Sequence, residues 1–153
     1  MSGRIISIEK PVVNDIKSTA STAFCIKGTF DPEDISKLLN LTPSKSWKIN
    51  DPMVSKKFQF DAGVKRPFSM WSYGYNDSYN GDISRQIRLT INDLRSKIPF
   101  IKEFVEKNNC QVYIQVICDT TAGDVTPNFS IDTDIIDFCK LVGAKIDVDM
   151  NIF

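Results

Sequence analysis

At 153 residues the chain fits one domain around one core, and a composition of 42% hydrophobic and 25% charged residues is ordinary for a globular protein. The 19 basic and 19 acidic residues cancel to a formal net charge of zero, which argues against a general nucleic-acid or anionic-membrane binder, because phosphate neutralisation calls for an excess of Lys and Arg. Histidine is absent, so Ser-His-Asp and Cys-His nucleophiles, His-containing zinc sites and imidazole bases near neutral pH are excluded.

Residues 1–20 read as a lead-in, and 21–153 as a single domain. The first ten residues have no apolar core of a signal peptide, and no apolar run approaches the roughly 18 residues of a membrane span. A cytoplasmic protein is therefore expected, with Cys25, Cys110, Cys118 and Cys139 as reduced thiols. An edge strand is conceivable over 4–8. Residues 23–27 alternate and read as the first secure strand, ended by Gly28. Asp31-Pro32-Glu33-Asp34 is a strong helix start: Asp31 can accept from free backbone N–H groups, Pro32 needs no N–H at the first position, and the acids suit the positive helix end. Ile35, Leu38 and Leu39 form that helix's apolar stripe, and Thr42-Pro43 stops it.

A short strand with Trp47 is predicted within 44–50, another around Phe58 and Phe60, and an aromatic one over 68–75. The clearest helix starts near Asp82, with Ile83, Ile87, Ile91, Leu94 and Ile98 recurring every three to four residues. Pro99 breaks or restarts it, and Phe100, Ile101, Phe104 and Val105 line a second piece that ends at Asn108-Asn109. The cleanest strand covers 111–118. After a loop, a short strand is predicted over 129–131. A helix capped by Asp132 or Thr133 follows, with Ile135, Ile136, Cys139 and Val142 apolar and Gly143 as a left-handed stop. In the last strand, 145–152, Ile146, Val148, Met150 and Ile152 should point to the core, with Asp147, Asp149 and Asn151 away from it. This order predicts an α+β single domain, with an antiparallel or mixed sheet and helices packed on one face, of ferredoxin-like flavour.

Four runs bear on family. They are Phe24-Cys25-Ile26-Lys27-Gly28-Thr29-Phe30-Asp31-Pro32-Glu33-Asp34-Ile35, then Leu41-Thr42-Pro43-Ser44-Lys45-Ser46-Trp47-Lys48, then Met70-Trp71-Ser72, and last Leu141-Val142-Gly143-Ala144-Lys145-Ile146-Asp147-Val148-Asp149. In this order they resemble a bacterial family known as domain of unknown function 4279. The resemblance implies a small α+β domain and supplies no activity or catalytic residue. Some small bacterial domains of this genre act as immunity proteins against secreted toxins, which is an association and not a reading of these residues.

Two surfaces are candidates. Trp71, Tyr73 and Tyr75 alternate and would form one aromatic row, with Lys45 and Trp47 nearby, as in a pocket for a small ligand or nucleotide. Core packing by large rings is the plainer account of the same row. Asp147 and Asp149 would lie in a row with Asn151 about 7 Å apart along a strand, either as a wet sheet face, a hard-cation site or a partner surface. Charge is also uneven: 45–66 holds six basic residues against Asp51 and Asp61, whereas 119–153 holds seven Asp against Lys140 and Lys145. The expected function is thus a non-catalytic protein-interaction module with a protein partner, an immunity-type toxin inhibitor being its concrete version. A small-ligand or nucleotide-binding domain is the alternative, and no cofactor, metal or catalytic residue is singled out.

Overall fold

A computed structural model describes residues 18–53, 63–75, 82–124 and 129–153. The strand candidates over 4–8 and around Phe58 lie outside these. Among the described residues, five strands and four α-helices run in the order β1 (Thr19–Gly28), α1 (Pro32–Leu39), β2 (Lys45–Trp47), β3 (Ser69–Tyr73), α2 (Ile83–Leu94), α3 (Ile98–Asn108), β4 (Gln111–Thr120), α4 (Thr133–Val142) and β5 (Lys145–Ile152). The sheet order is β2-β3-β1-β4-β5. Neighbours are antiparallel except β4 and β5, which are parallel, so the α+β sheet is mixed.

Local chemistry sets the helix boundaries. Asp31 accepts from the Glu33 amide at 3.0 Å and Asp82 from the Arg85 amide at 3.0 Å, each satisfying a donor of an open first turn. Asn40, Asn109 and Gly143 close α1, α3 and α4 in left-handed backbone, at φ 52°, 50° and 73°. The long apolar stripe splits at a single 3-10 turn, Arg95–Lys97, so that Ile98 opens α3 with Pro99 just inside it.

Residues opposite one another on neighbouring strands share a face. Phe24, Ile26, Trp71, Val112, Ile114 and Val116 face the helices and form the core with Ile35, Ile87, Ile91, Leu94, Ile101 and Phe138. Among the described residues no helix packs on the other face.

Three expectations change. β1 extends back to Thr19, inside the stretch read as lead-in. Ala20 is pulled into the ladder opposite Cys118 of β4, and that pairing overrides alanine's weak strand preference. Residues 129–131 form no strand, because the Ser84 hydroxyl donates to the Ser130 carbonyl at 2.8 Å and accepts from its amide at 3.1 Å, taking the bonds a neighbouring strand would have offered. The apolar row of β5 is not core. Burial stops at half-buried Ile146, and Val148, Met150 and Ile152 are 41%, 57% and 81% exposed. Alternation specifies which face a side chain takes, and among the described residues no helix covers that face at the sheet margin.

Candidate interaction face

Cross-strand register assigns the candidate residues within the strands to a side of the sheet. One row on the open face runs Lys45, Ser72, Cys25, Tyr113, Lys145, and the next runs Ala23, Gln115, Asp147. Trp47, Met70 and Lys27 lie in the row on one side of these, and Ser21, Ile117 and Asp149 in the row on the other.

The five residues read as a binding group therefore do not share a face. Lys45 and Trp47 are on the open side. Trp71 is fully buried on the helix side, donating its indole N–H to Ser36 Oγ at 3.0 Å and stacking on Tyr73 with ring centres 6.0 Å apart. Tyr73 and Tyr75 both donate their phenols to Asp93 Oδ2, at 2.5 and 2.6 Å. Trp71 is thus core, and the two tyrosines clamp the end of β3 to α2.

That clamp has a pH signature. Burial, followed by the Asp93 carboxylate, pushes the Tyr73 phenol well above its ordinary 10.0, and the bond to Asp93 pushes Tyr75 up as well. The unfolded chain loses these protons above about pH 10, while the folded protein keeps them. Stability from the clamp is therefore complete below pH 10 and declines as pH rises beyond it. Tyr73→Phe is expected to cost about 1 kcal/mol at pH 7 and to make the decline above pH 10 shallower. Urea midpoints of both proteins from pH 8 to 11 check this, and parallel curves would refute the clamp.

The open face is polarised. At the β2 side, the Arg66 guanidinium carbon lies 4.0 Å from the Trp47 ring centre and Lys45 Nζ lies 5.5 Å from it, while Lys27 Nζ sits 4.1 Å from the Phe68 ring centre. Trp47 is fixed by its N–H to the Phe68 carbonyl, 2.9 Å away. Cations held on aromatic faces gain about 0.5–1 kcal/mol at such exposed sites, and none of these three is ion-paired among the described residues. Beside them opens a depression of about 350 Å³, lined by Ser21, Ser44, Lys45, Ser72, Gln115 and Ile117.

At the β5 side stand Asp147 and Asp149. Lys145 Nζ is 3.6 Å from Asp147, and Asn151 gives its amide to Asp119 at 2.8 Å. The acidic row is therefore partly engaged by the chain itself, with Asp149 exposed. The basic and acidic stretches of sequence thus reach opposite margins of one face. Asp132 and Asp134 are removed from it, since both pair with Arg88 of α2.

The cysteines belong to the packing. Burial pushes all four thiols up, the opposite of what an attacking thiolate needs. Cys25 lies buried on the open face with its sulfur 3.4 Å from Ser72 Oγ.

Lys27 and Phe68 are the members of the basic cluster that sequence reading missed, because their nearness to Trp47 depends on how β1, β2 and β3 pair. The exposed apolar row of β5 was missed for the reason given above.

A family profile described as Domain of unknown function (DUF4279) matches residues 17–153, nearly the whole chain, and the protein belongs to that family. Neither a curated protein nor a solved structure matches it. Among the described residues no helix is long and apolar enough to cross a membrane.

Proposed function

We propose that this domain is a non-catalytic protein-interaction module that receives a protein partner along its β5 margin. One observation carries the reading: the last strand of the sheet leaves Val148, Met150 and Ile152 exposed on one side and presents Asp147 and Asp149 on the other. A sheet edge is a template for association, usually blunted by basic residues, proline or a bulge. β5 has no proline, its one Lys is at the start, and its pairing with β4 is regular to the end. Toxin neutralisation is the concrete form. A small acidic face complements a basic cleft, and such pairs gain association rate from steering.

A second reading rests on the depression lined by Ser44, Lys45, Ser72 and Gln115, where the Lys45 ammonium and the polar side chains around it would hold a small anion. One experiment separates the two. Affinity purification of the tagged protein from its native host is expected to recover a stoichiometric protein, lost by the Asp147→Lys/Asp149→Lys double variant and retained by Lys45→Glu. The reverse pattern would move the site to the depression and sink the first reading.

A further inference from the structure

The bonding pattern at the end of β5 fixes which of its backbone groups are free. The Phe153 amide donates to the Thr120 carbonyl at 2.9 Å, and the Phe153 carbonyl accepts from the Ala122 amide at 3.0 Å. Phe153 thus turns both of its polar groups towards β4. In an extended strand these groups change side at each residue. Asn151, Asp149 and Asp147 therefore also bond inwards, and Ile152, Met150, Val148 and Ile146 turn their N–H and C=O groups outwards. Among the described strands none lies beyond β5. The open backbone rungs thus belong to the residues whose apolar side chains face the helix side.

From this the geometry points to β-strand addition: β5 takes up an extended segment of a partner protein in which basic and apolar residues alternate. This rests on the interaction reading above and names the partner's chemistry. The free rungs bind the segment's backbone, as in other sheet-edge recognition. Its apolar side chains extend the row of Val148, Met150 and Ile152, and its Lys or Arg side chains fall beside Asp147 and Asp149 on the open face.

Charge decides against a second copy of this chain as the occupant. Two β5 strands paired antiparallel must keep apolar residues opposite apolar ones, so only alternate registers are in phase. The two of greatest overlap put Asp149 opposite its own counterpart, or Asp147 opposite Asp149 twice. Like charges directly opposed destabilise a sheet pair. A basic segment turns the same carboxylates into attraction.

The test uses a nine-residue peptide of alternating Lys and Val, capped at both ends, and the same peptide with Glu for Lys. Titration into the full-length ¹⁵N-labelled protein should shift the amides of Val148, Met150 and Ile152, with the Glu peptide at least about tenfold weaker. Met150→Pro removes an outward N–H without touching the β4 ladder, whereas Met150→Ala keeps it. Proline is expected to abolish peptide binding, and alanine to weaken it only a few-fold. Asp149→Lys, an exposed change that leaves the backbone intact, should also weaken it at least about tenfold.

Shifts confined to other residues, equal binding of the two peptides, or unchanged binding by Met150→Pro would overturn strand addition. So would a concentration-dependent dimer by light scattering that Met150→Pro dissolves. If a native partner is lost by Asp147→Lys/Asp149→Lys yet kept by Met150→Pro, strand addition fails while the interaction module stands. If no partner depends on either margin, the module itself fails.

Discussion

Trp71→Ala should cost about 3–5 kcal/mol of folding stability, the range for truncating a fully buried large aromatic. The indole has no exposure to solvent, lies on the helix side of β3 and donates to Ser36 of α1. Alanine would leave a cavity between the sheet and α1, bare the stacking face of Tyr73, and remove the donor to the Ser36 hydroxyl. A domain of this size has about 5–15 kcal/mol to lose, so the variant should unfold at a much lower urea concentration and sit near its threshold at 37 °C. Trp47→Ala is the comparison. That ring is half-buried on the open face, with one hydrogen bond and two cations on it, and about 1 kcal/mol is expected from those contacts. Urea midpoints of the two variants decide the matter. A smaller loss for Trp71→Ala than for Trp47→Ala would mean that Trp71 is not the core residue described here.

That contrast marks the boundary of what could be read from the amino acids. Helix starts and stops were legible because they are local chemistry: Asp31 before Pro32, Asp82 before an apolar stripe, and Gly143 after one. The strands over 111–118 and 145–152 were legible from their alternation. Which side of the sheet a residue of a short strand such as β2 occupies was not, because it follows from register between strands distant in sequence. Trp47 and Trp71 read from the sequence as one candidate group. Pairing of Trp47 with Met70, and of Ile26 with Trp71, sends them to opposite faces. The same limit applies at β5, whose perfect alternation reads as a core strand. Only its place at the end of the sheet order leaves Met150 and Ile152 uncovered. Asp147 and Asp149 were placed on the wet face correctly, since that needs only the period of two.

Gly74→Ala is expected to be nearly as damaging as an aromatic truncation, by a different route. A Cβ on Gly74 would lie 2.3 Å from the Thr22 carbonyl oxygen and 2.8 Å from the Ala23 Cα, closer than real Cβ atoms come. Both obstacles are backbone of the central strand β1, so no side-chain rotation relieves the overlap, and the end of β3 must move away. That movement would break a tight arrangement: Ser44 Oγ donates to the Gly74 carbonyl at 3.2 Å and accepts from its amide at 3.1 Å, and the Ser44 amide donates to the Ser72 carbonyl at 2.8 Å. These bonds lead the chain into β2, so the change would loosen Lys45 and Trp47 as well as strain the sheet. Overpacking of this kind costs about 1–3 kcal/mol, and the lost hydrogen bonds place Gly74→Ala at the upper end. Gly63→Ala, where nothing lies within 4 Å, should change stability by less than about 0.5 kcal/mol. Hydrogen exchange supplies the second readout: the Ser44 and Gly74 amides should lose protection in Gly74→Ala while those of β4 and β5 keep theirs. Equal urea midpoints for the two glycine variants would show that β3 reaches β2 without pressing on β1. The basic margin of the open face would then be positioned by the Trp47–Arg66 contact instead of by the crossing at Gly74.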